Sequence, residues 1–254
     1  MIDKERFEVA LNRNEFNNAS EKYVYIPLGG FFTRILLHTR ITPNQLTVFW
    51  GVLMFVSAFG FMFGDHWLNI LCGVCWVIAY ALDSADGPLA RYTNLKSGRG
   101  DYIDGINHRL TFPLLMFCIG YYAYMHGRTE VFGFSFDPVY YLIAGVLAGT
   151  CMVLIIDCGN IYNRIMPEEA MATNDGTVGL EGEYVKHKSL FKKVIPYSPL
   201  PFTNMLLLIP FFALFGFLDV FIVFYGIVYF AGALFRASIL CKKIPGPDMS
   251  KRFR

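Results

Sequence analysis

Six long apolar segments constrain this sequence more than any other feature. A helix that crosses a lipid bilayer needs about 20 mostly apolar residues. Only 17% of the residues are charged, against about 25% in soluble domains. The sequence therefore predicts an all-α integral membrane protein with six transmembrane helices, and it argues against a soluble helical protein. The predicted spans are residues 46–63, 67–82, 105–125, 139–157, 202–218 and 220–241.

The basic residues indicate how the spans are oriented. Lys and Arg are enriched in the cytoplasmic loops of membrane proteins. With six spans, both termini and the loops after the second and fourth spans share one side. That side, together with the span ends next to it, holds 21 of the 22 Lys and Arg residues, all except Arg128. We therefore expect both termini to face the cytoplasm. The net charge of +2 does not suggest nucleic acid, and basic residues near the spans are expected to contact anionic membrane lipids.

The chain is interpreted as one membrane domain with polar ends. Residues 23–37 are apolar but contain Pro27 and a pair of glycines, so we predict an amphipathic helix that lies on the membrane surface. We divide the chain into an N-terminal interfacial segment at 1–44, a six-span domain at 45–241 with a polar cytoplasmic loop at 158–200, and a cytoplasmic tail at 242–254.

A group of carboxylates lies where the second span ends and the third begins. Asp83 and Asp86 are three residues apart, so one helix face carries both. Asp104 and His108 are four residues apart and again share a face. If the two spans are antiparallel neighbours, these faces converge, and the carboxylates repel one another unless a cation joins them. Since Mg²⁺ prefers oxygen ligands, the spacing predicts a divalent-metal site suited to phosphate chemistry.

Other residues of this stretch suit a phosphate ligand. Gly87 and Ala90 are small, and Arg91 offers a planar fork of donors. Arg109, inside the third span, is interpreted as a partner of a substrate phosphate or of the metal site, or alternatively as a side chain that snorkels to the membrane surface or forms a structural ion pair. A transporter is an alternative, because intramembrane acids also couple ions. Against it, the acids cluster at one membrane face, and no pair of broken helices recurs in two halves.

The whole stretch resembles the signature of the CDP-alcohol phosphotransferase family, D-x2-D-G-x2-A-R-x8-G-x3-D-x3-D. A second motif, P-N-x-x-T, often precedes the first span of this family, and residues 43–47 are similar to it. The resemblance covers residues 40–125 by motif and the remainder by span count. The matching positions are Asp83, Asp86, Gly87, Ala90, Arg91, Gly100 and Asp104 in the signature, and Pro43, Asn44 and Thr47 in the second motif.

This resemblance implies a six-span, commonly homodimeric enzyme that transfers a substituted phosphate from a CDP-linked donor to a hydroxyl group and releases CMP. The donor would be CDP-diacylglycerol with a small polar alcohol as acceptor, or a CDP-alcohol with a lipid alcohol as acceptor. Asp83, Asp86 and Asp104 would hold one or two Mg²⁺ ions. The residues implied to line the nucleotide and diphosphate are Asp83, Gly87, Ala90, Arg91, Asn44 and Thr47.

His108 stands where the signature has its last aspartate, which is taken as the base and often as a metal ligand. In one interpretation His108 is the general base, acting beside Asp104, since its ordinary pKa of about 6.5 suits that role; its neutral ring can also bind the metal. In a second, Asp101 supplies the missing carboxylate, although it lies towards the cytoplasm. In a third, activity is altered or lost and the chain only binds nucleotide or lipid. With one carboxylate fewer, we expect weaker Mg²⁺ binding or a shift towards Mn²⁺.

Overall fold

The computed structural model describes residues 4–11, 18–131, 134–135, 137–166, 198 and 200–244. Within these ranges the chain is helical, with one short antiparallel pairing of Glu130–Val131 (β1) and Phe134–Ser135 (β2). A π-helical turn at Glu21–Tyr25 precedes α2, and a 3-10 turn at Phe61–Phe63 extends α3. The helices are α1 Lys4–Leu11, α2 Ile26–Leu36, α3 Pro43–Gly60, α4 His66–Thr93, α5 Gly98–His126, α6 Val139–Ile165, α7 Phe202–Leu214 and α8 Leu218–Lys243.

Four of the described helices are long and apolar enough to cross a membrane, namely α3 with its extension, α4, α6 and α8. The apolar helix α7 has only 13 residues, and α5 has 29 residues but carries charged residues in its first turns. The predicted fold class, an all-α membrane protein, is confirmed. Every predicted span corresponds to a helix, and the number of helices that cross the membrane stays a prediction.

Several helices extend beyond the predicted spans. Helix α4 continues past residue 82 to Thr93, and α5 begins at Gly98 instead of residue 105, so the acidic motif is helical almost throughout. The loop predicted from residue 158 starts too early, because α6 continues to Ile165 and buries Gly159 and Tyr162 on its inner face. Residues 167–197 of that predicted loop lie outside the described residues.

The packing of α3 adds to the predicted arrangement of the spans. The faces of the second and third spans converge as predicted, since side chains of α4 and α5 meet at Asp83 and His108 and at Trp76 and Phe112. Helix α3 packs closely against both α4 and α5. The site of the acidic motif is therefore built by three helices and not by two.

Helix α2 packs on α4 beside a proline. Pro88 has no N–H, so the carbonyl group of Ser84 lacks its usual helical partner. A Cβ atom on Gly29 would lie 3.0 Å from that carbonyl oxygen, so a glycine is needed for this close approach. The predicted amphipathic helix is therefore present, with one face on α4. Its other face exposes the large apolar side chains Leu28, Phe31 and Ile35.

Glycines also join the second half of the bundle. A Cβ atom on Gly145 of α6 would lie 2.6 Å from the carbonyl oxygen of Met116 on α5, and one on Gly149 would lie 2.7 Å from Pro113 Cα. Helix α8 packs along α6, and α7 packs against α4. The bundle thus consists of α3, α4 and α7 beside α5, α6 and α8, and the acidic motif lies where the two halves meet.

Candidate active site

Three side chains from α4 and α5 converge at one point. His108 Nε2 lies 3.2 Å from Asp104 Oδ1 and 3.6 Å from Asp83 Oδ2. Asp104 and His108 share a face of α5 because they are one turn apart. All three side chains are partly buried. The structure therefore brings two of the signature carboxylates together with the histidine that replaces the last aspartate of the signature.

The geometry of this group is compatible with a divalent cation. Asp83, Asp104 and His108 each offer one ligand atom, and these atoms lie within 4.8 Å of one another. Two oxygens bound to one Mg²⁺ at about 2.1 Å each are at most about 4.2 Å apart. A small closure of the side chains would therefore suffice for one ion to contact all three, and two carboxylates with an imidazole suit Mg²⁺ or Mn²⁺.

Asp86 lies beside this group but is held by α3. Its Oδ2 accepts hydrogen bonds from Thr47 Oγ1 at 3.1 Å and from Trp50 Nε1 at 3.2 Å. It is close enough to Asp104 and His108 for their charges to interact. Both donors are neutral, so Asp86 is oriented without being paired to a cation by them. Its predicted role as a metal ligand stays a prediction.

The ring of His108 is surrounded by aromatic side chains. Its centroid lies 5.1 Å from the ring of Trp50 and 4.9 Å from that of Phe112, each with an interplanar angle of 31°, and Tyr80 is 6.5 Å away. Nδ1 is buried and has no hydrogen-bond partner within the described ranges. Nε2 is therefore the ring atom that faces the carboxylates.

The predicted nucleotide contacts Asn44 and Thr47 both lie in the first turns of α3, where Thr47 donates to Asp86. Asn44 Oδ1 accepts from the side chain of Ser97, which in turn caps α5 by accepting from the N–H of Gly100. A Cβ atom on Gly100 would lie 2.7 Å from Asn44 Oδ1, which explains the glycine of the signature. The carbonyl oxygen of Thr47 accepts from Asn107 Nδ2 at 2.9 Å. These contacts join the start of α3 to the start of α5.

Arg91, predicted to contact the diphosphate, is exposed at the end of α4 and joins the N-terminal helix. Its Nε donates to the carbonyl oxygen of Ala10 at 2.9 Å, which lies in the last turn of α1, where such carbonyls lack helical partners. Gly87 and Ala90 are partly exposed on the turns between Asp86 and Arg91.

Two charged residues do not join the group. Asp101, the alternative source of a carboxylate, is exposed on the first turn of α5 and is not part of the metal-binding set. Arg109 pairs with Asp157 of α6, with its Nη2 2.8 Å from Asp157 Oδ1, and donates to the carbonyl oxygen of Gly105. The structure therefore shows the ion-pair interpretation of Arg109, with Asp157 as its partner.

Sequence reasoning missed Trp50, Asn107 and Phe112. A signal for Trp50 was present, since it lies three residues after Thr47 and so shares a helix face with it. Phe112 likewise follows His108 by one turn. Trp50 could not be assigned to the site from the sequence, because no local spacing shows that α3 packs against both α4 and α5.

Comparison with known proteins gives two matches. Residues 40–237 match the CDP-alcohol phosphatidyltransferase family. An archaetidylinositol phosphate synthase of Pyrococcus horikoshii is 33% identical over 86 residues, which are 34% of this chain and 44% of that protein. The chain thus spans less than half the length of the curated relative that it matches. The family match begins just before α3 and includes both motifs and the whole of the convergent group.

Proposed function

The chain belongs to the CDP-alcohol phosphatidyltransferase family, and on this basis we propose that it transfers a substituted phosphate from a CDP-linked donor to a hydroxyl acceptor and releases CMP, in the synthesis of a phospholipid or a related lipid. The observation that carries the proposal is the convergence of Asp83, Asp104 and His108 between α4 and α5. Asp86 is oriented next to them by α3. Carboxylates gathered in this way suit a metal-assisted transfer of a phosphate group.

The proposed transfer exchanges one phosphorus–oxygen bond for another. The hydroxyl oxygen of the acceptor bonds to the phosphorus that carries the alcohol part of the donor. The bond from that phosphorus to the bridging oxygen breaks, and CMP leaves with this oxygen and its electron pair. The hydroxyl proton passes to a base in the site, and nothing is oxidised or reduced.

We propose Mg²⁺ or Mn²⁺, as one or two ions, for the carboxylates Asp83, Asp86 and Asp104. When bound, such an ion supplies positive charge that neutralises the diphosphate. The nucleotide part of the donor is proposed to lie near Asn44, Thr47, Gly87, Ala90 and Arg91. The planar guanidinium of Arg91 offers several donors in a geometry that suits a phosphate.

His108 is proposed as the base that receives the hydroxyl proton, beside Asp104. Nε2 is the ring atom that faces the carboxylates. To act as the base, the ring must therefore carry its free electron pair on Nε2. A neutral ring in that form has its own proton on Nδ1, which is buried without a partner in the described part of the chain. The alternative is a ring that donates its Nε2 proton to the carboxylates and only orients them.

Release of CMP by the purified protein tests the proposal. The donors to compare are CDP-diacylglycerol and CDP-alcohols, and the acceptors are small polar alcohols, an inositol phosphate and lipid alcohols. The inositol phosphate is included because of the name of the P. horikoshii relative. We expect release with one donor–acceptor class, dependent on Mg²⁺ or Mn²⁺ and abolished by Asp86→Asn. The control is Asp65→Asn, because Asp65 caps α4 at its other end and Asn caps equally well.

Substitutions of His108 separate its possible roles. Glutamine can donate a hydrogen bond from a similar position but cannot accept a proton, whereas alanine does neither. If His108 is the base, His108→Gln and His108→Ala lose CMP release equally. Retention of activity by His108→Gln alone would identify an orienting donor. Binding of CDP-linked donors by the wild type without any turnover would favour the non-catalytic alternative.

The metal dependence gives a separate test of His108. We expect weak Mg²⁺ dependence or a preference for Mn²⁺ in the wild type, and a change in that preference in His108→Ala. Tight Mg²⁺ dependence that His108→Ala leaves unchanged would exclude the histidine from the ligand role.

The placement of the chain in the membrane is also a proposal. The distribution of Lys and Arg supports a cytoplasmic site and cytoplasmic termini. Cys241 is exposed near the end of α8, so a membrane-impermeant maleimide should label it in inside-out but not in right-side-out vesicles, with Cys241→Ser as control. We further propose one membrane domain over residues 45–241 and a homodimer, which crosslinking in native membranes tests.

A further inference from the structure

We infer that Trp50 is a positioning residue that couples the two halves of the site, a role which rests on the proposed function. Its indole N–H holds Asp86 of α4, and its ring holds the imidazole of His108 on α5. The signature motif does not include position 50. In this chain, the tryptophan gives one rigid link between the carboxylate half and the histidine half of the site.

Trp50 is well suited to this role because it is buried and is held both at its N–H and at its ring. It is fully buried, with 0% of its surface exposed. Its Nε1 lies 3.2 Å from Asp86 Oδ2, and its ring centroid lies 5.1 Å from that of His108. A tryptophan side chain has only two rotatable bonds, so holding the N–H in place also holds the ring. A displacement of Trp50 would therefore move Asp86 and His108 together.

The aromatic surroundings suit a histidine and not the aspartate of the signature. The ring of His108 packs against those of Trp50 and Phe112. The ring centroid of Phe112 in turn lies 4.2 Å from that of Phe202. An imidazole ring packs favourably on such rings, whereas a carboxylate placed against them loses hydration without gaining a donor. We therefore expect that His108→Asp, which restores the family signature, lowers CMP release below that of the wild type instead of raising it.

The orientation of His108 can be measured without any activity. Aromatic rings shift the resonances of protons that lie over their faces, so His108 should give displaced ring-proton signals in protein labelled on its five histidines, with His108→Ala identifying them. We expect Trp50→Leu to reduce this displacement and Trp50→Phe to keep most of it. Signals of His108 that are undisplaced in the wild type, or unchanged in Trp50→Leu, would overturn the inference.

A double-mutant cycle tests whether Trp50 acts through His108. In the wild-type background we expect Trp50→Phe, which loses the N–H and part of the ring system but keeps an aromatic ring, to lower kcat/KM about tenfold, and Trp50→Leu to lower it about a hundredfold. In the His108→Ala background, measured on the residual CMP release of that variant, the ring at position 50 has no imidazole to orient. Both substitutions of Trp50 should therefore lower the residual kcat/KM by the same factor, about tenfold. Equal costs of Trp50→Leu in the two backgrounds would show a merely structural role.

Trp76→Phe is the matched control. Trp76 is equally buried, but it lies on α4, its N–H has no hydrogen-bond partner in the described part of the chain, and its ring packs against Phe112 instead of His108. We expect this variant to share any loss of thermal stability and to keep the wild-type pattern of His108 signals and CMP release. If the wild type releases no CMP from any donor, the proposed function fails, and the resonance measurement still decides the position of His108.

Discussion

The two ends of the bundle bury carboxylates in opposite ways. At one end, Asp219 is 4% exposed and accepts hydrogen bonds from the backbone N–H groups of Arg128 and Val220, while the Arg128 guanidinium lies 3.5 Å away. The same guanidinium lies over the ring of Phe217. This carboxylate is thus satisfied entirely by the protein.

At the other end, the carboxylates are oriented rather than neutralised. Asp86 accepts from two neutral donors, and Asp83 and Asp104 both face His108, which carries a charge only when it is protonated. Such an arrangement favours binding of a cation from outside. The difference teaches that a buried acid in this fold is structural where an arginine and backbone N–H groups hold it, and is proposed to be functional where it is held by neutral donors or faces a histidine.

The largest effect is expected from Asp104→Asn. If Asp104 serves the metal and the transfer, CMP release falls by about a thousandfold, since metal stabilisation is worth several kcal/mol. The melting temperature of the purified variant should not fall, because removing one of several neighbouring carboxylates relieves their repulsion. Loss of activity together with a large loss of stability would instead make Asp104 structural, like Asp219.

Asp219→Ala should show the reverse pattern. The substitution leaves the N–H groups of Arg128 and Val220 without their acceptor, which costs about 2 kcal/mol of stability. We expect a lower melting temperature and an unchanged kcat per folded molecule. A loss of CMP release at temperatures where the variant is fully folded would break the distinction between the two ends.

Gly145→Ala is expected to destabilise the bundle by about 1–3 kcal/mol, because its Cβ atom meets backbone atoms of α5 that cannot move aside. The control is Gly232→Ala on α8, where the nearest contact is the end of the Ile155 side chain at 3.4 Å. That variant should be neutral or stabilising, since alanine favours helices. Thermal unfolding in detergent compares the two, and equal melting temperatures would contradict the close approach of α5 and α6.

The smallest effect is expected from Arg109→Gln. Its ion pair with Asp157 is more than a third exposed on both sides, and such pairs contribute less than about 1 kcal/mol. CMP release should stay within a few-fold of wild type, and Asp157→Asn should have the same effect. A loss of about tenfold or more in kcat/KM in Arg109→Gln, absent from Asp157→Asn, would assign Arg109 to the substrate.

The sequence predicted much of the fold from local properties. The apolar segments predicted the helices, and the spacing of Asp83 and Asp86, and of Asp104 and His108, predicted two faces of the site. The predicted end of the fourth helical segment failed at residue 158, because burial of Gly159 and Tyr162 extends α6 through a polar stretch. The partner of Arg109 was left open, since Asp157 is 48 residues away along the chain.

What the sequence alone determined is what depends on neighbours along the chain: helical periodicity, membrane character and the residue types of the acidic motif. The tertiary structure decided which helices meet. Insertion of α3 against both α4 and α5 brought Thr47 and Trp50 to Asp86, and placed aromatic rings around His108. Packing between helices depends on how many side chains fit together at once, and no spacing within a single segment encodes that choice.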